Sequence, residues 1–161
     1  MKKLLILAGL GLLLAACNSN PKSSDSKNNK DKANAITSES ECFASLTQQD
    51  SIWLQLKISS NDVTGTLIYH LYEKDKNEGT LQGTLKGDTI IADYTFRSEG
   101  QTSVREVAFL LKKGSVIEGF GNMEMQDKKM EFKNRKNIDF SNGITFQKID
   151  CEGIDSVFQI E

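Results

Sequence analysis

Proline and histidine each occur once among 161 residues, as Pro21 and His70. A single imidazole excludes any multi-histidine metal centre, and a Ser/His/Asp arrangement would have to be built on His70. Cysteine is scarce as well. Cys17, Cys42 and Cys151 lie too far apart for a Cys-x-x-Cys motif, and the chain has neither a glycine-rich phosphate loop nor a nucleophile elbow. A basic excess is also missing: 20 Lys and Arg stand against 22 Asp and Glu. That balance argues against nucleic acid as a partner, because phosphate backbones demand a strongly basic surface. Beyond residue 16 there is no long apolar run, and no segment repeats at helical period over a useful length.

What the chain does have begins at its amino end. Met1-Lys2-Lys3 precedes an unbroken apolar and glycine run from Leu4 to Ala16. The run falls short of the about 20 residues that span a bilayer comfortably. It also lacks the polar face of an amphipathic core helix. Leu14-Ala15-Ala16-Cys17 ends it with small residues, and the composition then switches at once to Asn, Ser, Lys and Asp.

Residues 1–16 resemble the signal peptide of a bacterial lipoprotein, with Leu14-Ala15-Ala16-Cys17 as the lipobox. The resemblance implies lipid attachment at Cys17: a diacylglyceryl group on its sulfur, cleavage before it, and acylation of the new amine. Several acyl chains make a durable membrane anchor, whereas one chain at ~0.8 kcal/mol per CH₂ binds only marginally. Asn18 stands where an Asp would retain such a protein in the inner membrane, so the resemblance implies the cell outer membrane. No acidic run follows Cys17, and the expected orientation is toward the periplasm. Residues 17–39 then form a tether that cannot bury enough surface to offset its ordering entropy.

Lipidation of Cys17 would leave Cys42 and Cys151 as a pair. In an exported chain such a pair forms a disulfide, the alternative being two buried free thiols.

From Ser40 the pattern has period two. Ile52, Leu54, Leu56 and Ile58 share one strand face, and Val63, Leu67, Tyr69 and Leu71 share the next. Glu73 to Gly79 reads as a charged loop. Thr80 to Lys86 and Thr89 to Arg97 flank the two-residue turn Gly87-Asp88, a register that pairs Leu85 with Ile90, Gly83 with Ala92 and Leu81 with Tyr94. Thr102 to Lys112 pairs with Ser115 to Gly121, and either face of the first could point inward. A hairpin from Met123 to Lys133 turns at Asp127-Lys128 and sets Met125 against Met130 and Met123 against Phe132. The last hairpin is expected from Ile138 to Ile149 around Ser141-Asn142-Gly143, pairing Phe140 with Ile144. Ile154 to Ile160 adds a short edge segment. The fold class is therefore all-β: residues 40–161 form one antiparallel up-and-down meander of about eight to ten strands, closed as a small β-barrel or, alternatively, layered as a two-layer β-sandwich.

Few residues carry site chemistry. His70 sits mid-strand beside Tyr69 and Tyr72, which offer no nucleophile. Asp75 to Gly79 fails as a calcium loop, with its glycine one place early and Lys86 where a bidentate Glu is needed. Met123, Met125 and Met130 share a face, and thioethers bind Cu(I), although methionine beside phenylalanine ordinarily fills a core. Glu99, Arg105 and Glu106 surround the Gly100 turn and suggest a structural ion pair at a rim or inside the barrel. Trp53 points away from the Ile52/Leu54/Leu56 face, either as a partner-binding anchor or as part of a strand buried on both sides.

In general style the domain resembles the small β-rich lipoproteins of Gram-negative envelopes. The expected function is non-catalytic: a binding module for an envelope protein or a small apolar ligand, without a cofactor. The alternatives are an envelope hydrolase and a methionine-based copper-handling protein. Mass spectrometry of the exported chain should show residues 1–16 removed and Cys17 carrying both the thioether-linked diacylglyceryl group and an amide-linked acyl chain. A bare Cys17 with the leader still attached would refute the anchor.

Overall fold

The computed structural model describes residues 39–153. The leader, Cys17, nearly all of the tether and the Ile154–Ile160 segment lie outside the described residues. Ten strands occur among the described residues: β1 (Glu41–Leu46), β2 (Ser51–Ser59), β3 (Asp62–His70), β4 (Asn77–Lys86), β5 (Thr89–Ser98), β6 (Gln101–Lys112), β7 (Ser115–Phe120), β8 (Met123–Gln126), β9 (Lys129–Phe132) and β10 (Asp139–Ile149). Two 3-10 turns, Arg135–Asn137 and Cys151–Gly153, flank β10.

The strands lie in the order β5-β4-β3-β2-β1-β10-β7-β6, and β5 pairs with β6 along its whole length. That last pairing closes an eight-stranded antiparallel barrel, so the meander is a barrel and not a sandwich. β9 and β8 extend from β6 as an added ribbon. β9 runs parallel to β6, with Val104 opposite Lys129 and Arg105 opposite Met130.

Alternation along each strand decides which residues fill the inside. Leu54, Leu56, Leu67, Ile90, Tyr94, Phe109, Val116 and Phe146 are fully buried and belong to one continuous core cluster. Phe109 meets Phe146 edge to face at 6.2 Å between ring centroids. An eight-stranded barrel is just wide enough for such side chains to fill it. Val107 and Phe109 are the inward residues of β6, which settles the face that sequence alone left open. The tight curvature brings backbones together: a Cβ on Gly65 would lie 2.1 Å from the Gln55 carbonyl oxygen, so only glycine fits there.

The Thr80–Arg97 hairpin has the expected register, with Leu85 opposite Ile90, Gly83 opposite Ala92 and Leu81 opposite Tyr94. Gly87 takes φ +65° at the first central position of its turn, where a left-handed residue suits the strand twist. In the ribbon, Met125 faces Met130 and Met123 faces Phe132, around Asp127 and Lys128, which both have positive φ.

Three expectations need correction. A first strand, Glu41–Leu46, precedes the one expected at Ile52, and it contains Cys42. β4 begins at Asn77, so Glu78 and Gly79 belong to a strand and not to the charged loop. Most plainly, Ile138 to Ile149 is no hairpin. Asp139–Ile149 is one strand lying between β1 and β7, with a register break between Asp139 and Ile144. The cause is local. The Asp139 carboxylate accepts bonds from the Ser141 N–H at 2.7 Å and the Asn142 side-chain amide at 2.9 Å. These bonds gather the chain into a bulge instead of a turn. The Ser141 hydroxyl donates to the same carboxylate, and together these bonds hold the Asp139 carboxyl down at about 2, the Ser141 and Asn142 side chains contributing first. Gly143 lies against β7, where a Cβ would be 2.1 Å from the Glu118 carbonyl oxygen.

Cys42 and Cys151 form a disulfide with Cα atoms 5.3 Å apart, joining positions 109 residues distant in sequence. Cys42 is fully buried on β1, and its register partner Ile149 is the last residue of β10. The bridge therefore crosses the seam where the first and last barrel strands meet. Replacing both cysteines with serine should lower unfolding stability in urea by up to about 4.7 kcal/mol, the chain-entropy value for a loop near a hundred residues. An unchanged urea midpoint would mean that the seam holds without its bridge.

Candidate functional site

β6 carries Arg105 and Glu106 side by side, and strand alternation sends them to opposite faces of the barrel wall. Each finds a partner of opposite charge, Arg105 on the next strand and Glu106 beyond the β8–β9 ribbon, and the two clusters that result differ in kind.

On the inner face, the Arg105 guanidinium lies 5.1 Å from the Tyr69 ring centroid, 5.6 Å from Tyr94 and 5.8 Å from Phe96. The rings attract it through their negative faces. Tyr94 stacks on Phe96 at 4.8 Å, and its hydroxyl donates to the Leu67 carbonyl at 2.9 Å. Arg105 reaches Glu118 of β7 at 3.9 Å. The Tyr69 hydroxyl donates to the same Glu118 oxygen at 2.6 Å. Glu118 is 2 % exposed, and its second oxygen has no hydrogen-bond partner among the described residues. Burial pushes the Glu118 carboxyl above its ordinary 4.5, against the opposing pull of the Tyr69 hydrogen bond and the Arg105 charge. Burial likewise raises the Tyr69 and Tyr94 hydroxyls, with Glu118 nearby adding to the effect. Both tyrosines stay neutral donors, and the cluster is held together without a poised nucleophile.

On the outer face, Glu106 is 3 % exposed. Arg135, in the first 3-10 turn, donates to both of its oxygens, at 2.6 Å and 3.1 Å, and the Phe132 N–H donates at 3.3 Å. This two-pronged contact fixes the β8–β9 ribbon and the turn after it against the barrel wall. Lys129 of β9 reaches Asp93 of β5 at 2.9 Å and Glu131 at 2.7 Å. Between the wall and the ribbon lies a cleft of about 740 Å³. Its floor is the outward face of β4 and β5, with Gln82, Thr84 and Ile91, and its far side carries Lys129, Arg135 and Lys136. The bonds to Glu131 and then Asp93 hold the Lys129 ammonium above its usual range, and the bond to Glu106 does the same for Arg135. The cleft is thus mixed in polarity, basic at its edge and buttressed by two ion pairs.

The residues expected to carry chemistry fare unequally. Arg105 enters the barrel and Glu106 stays outside, so the two do not form one cluster, and Glu99 remains an exposed turn residue. His70 is exposed at the end of β3. The register sets Ser51 directly opposite it, which supplies the hydroxyl that sequence reading did not find. No hydrogen bond joins the two among the described residues, and neighbouring Asp50 accepts the Tyr72 N–H instead. Glu78 is engaged by Lys76 at 2.7 Å. Trp53 sits half-buried on the outer face between the buried Ala44 and Ile68. Among the described residues no group of three or more His, Cys, Asp and Glu is placed to hold a metal. Glu118, Tyr69, Tyr94 and Arg135 had not been singled out as site residues. Glu118 left one trace in the sequence, an acid standing in phase with Val116 on an apolar strand face.

Because the folded-state carboxyl of Glu118 lies above 4.5, the folded chain holds this proton more tightly than the unfolded chain does. Its contribution to stability is complete below that pH and fades as pH rises through the folded value. Glu118→Gln should therefore flatten the fall in urea midpoint between about pH 4 and about pH 8. Parallel profiles for the two proteins would assign the pH dependence to other groups. In comparisons with protein families, with curated proteins and with solved structures, the chain matches none.

Proposed function

We propose that this chain is a lipid-moored protein of the bacterial outer membrane that works by binding, and that it engages an envelope protein partner through the cleft on the outside of its barrel. The observation that carries this reading is the cleft itself, about 740 Å³ in volume and walled by a ribbon that Glu106 and Arg135 pin in place. The leader and Cys17 support the mooring through their resemblance to lipoproteins. The filled core directs attention outward, since Tyr94, Phe109 and Phe146 occupy the space that an apolar ligand would need. At the cleft Asp93 is tied to Lys129 and Glu106 to Arg135, which leaves Lys86 and Lys136 to meet a partner. A cleft that combines Thr84, Ile91 and Lys136 offers hydrogen bonding, apolar contact and charge together, the mixture found where proteins meet.

A photo-crosslinking residue at exposed Lys136, in the cleft, should yield one discrete adduct in intact cells. The same residue at exposed Gln147, on the outward face of β10 and four strands from β4 around the barrel, should yield none. Loss of the Lys136 adduct in a Thr84→Arg background would tie it to the cleft floor. Equal adducts at both positions would overturn the cleft as the binding surface.

A further inference from the structure

Methionine is distributed unevenly along this chain. Apart from Met1, the methionines are Met123, Met125 and Met130, all within one eight-residue stretch. The ordinary reason for methionine beside phenylalanine is core filling, and that reason fails here. The core cluster is built from Leu, Ile, Val, Ala, Phe and Tyr and contains none of the three. Met125 is 66 % exposed, and Met123 and Met130 are half-buried on the β8–β9 ribbon. A ribbon at a sheet margin gains nothing in solubility from displaying thioethers.

Register and alternation bring the three together. Met125 lies directly opposite Met130, and Met123 lies two residues along on the same face, opposite Phe132. Directly opposed Cβ atoms stand ~5 Å apart and diagonal ones ~7–8 Å apart. Methionine is long, unbranched and has three rotatable side-chain bonds, so the three sulfurs can converge on a point above the ribbon. The carboxylates are turned elsewhere: Glu124 and Glu131 occupy the opposite face, where Glu131 holds Lys129 at 2.7 Å. Arg105, opposite Met130 in register, is committed to its three rings. The donor set on this face is therefore sulfur alone, which selects soft ions over Zn(II), Mg(II) or Ca(II).

We propose that the Met123/Met125/Met130 face binds one soft monovalent metal ion, Cu(I) or Ag(I), through three thioethers. The site is separate from the outer cleft and stands whether or not that cleft binds a partner. The Cys42–Cys151 bridge leaves no thiol in the barrel to compete.

The test uses the full chain with its disulfide oxidised and with Cys17→Ser, labelled with ¹³C at the methionine methyl groups. One equivalent of silver nitrate should shift the Met123, Met125 and Met130 methyl resonances together and leave Met1 unmoved. Anaerobic Cu(I) should shift the same three, and zinc chloride should shift none. The triple variant Met123→Leu, Met125→Leu, Met130→Leu keeps side-chain volume, the kind of swap that folds tolerate best. It should show unchanged circular dichroism and bind silver more weakly by well over about tenfold, since loss of even a ligand's supporting partner costs that much. Three silent methyl groups at stoichiometric silver would overturn the site and leave the face as an adaptable protein contact. So would undiminished silver binding by the triple variant, or equal shifts with zinc.

Discussion

Closure of the sheet is the constraint on which the rest of this molecule depends. Eight strands wrap until β5 meets β6, and the wrap is complete only because β1 and β10 also pair. No edge then remains on the barrel to recruit another chain. The sulfur bridge sits on that second seam, with Cys42 one strand away from its partner's end. Glu41 and Lys148 add an ion pair across the same seam. The inner residues come together because of this closure: Tyr69 from β3, Tyr94 from β5, Arg105 from β6 and Glu118 from β7 meet only in a closed wall.

β6 then turns one strand into two surfaces. A buried charge is costly without a partner, and the consecutive pair Arg105 and Glu106 would leave one uncompensated charge on each side of the wall. Inside, aromatic faces and Glu118 meet the guanidinium. Outside, the chain leaves the barrel after β7, builds the β8–β9 ribbon and returns with Arg135 to meet Glu106. The ribbon thus has an electrostatic reason for its position. The cleft beside it follows from that placement, because Arg135 and Lys129 reach from the ribbon and the turn after it to Glu106 and Asp93 on the wall.

Much of this was legible in the sequence, and the rest was not for identifiable reasons. The Leu81–Tyr94, Gly83–Ala92 and Leu85–Ile90 pairs could be read off because a two-residue turn and a two-residue period specify one register together. The Met125–Met130 pair followed from the same logic. β1 was missed because Cys42 and Ala44 are buried on the outer face and break the expected inward pattern. Asn142-Gly143 carries the strongest short hairpin signal a sequence offers, yet the Asp139 carboxylate captured the Ser141 N–H and the Asn142 side-chain amide first. The charge clusters were invisible for a different reason. Tyr69 and Glu118, like Glu106 and Arg135, meet through topology, and no local spacing records which distant element will face which.

The ribbon's attachment also bears on the order in which the fold comes apart. β9 joins β6 through two residue pairs, Val104–Lys129 and Arg105–Met130, in parallel alignment, whereas β5 and β6 share ten. Cooperative units open in proportion to the packing and bonding they would lose. The ribbon therefore forms the lowest rung of a ladder of openings, able to swing out while the wall behind it stays shut. Salt that screens the Arg135–Glu106 contact would loosen that hinge first, and the cleft would lose its far side while the core stayed closed.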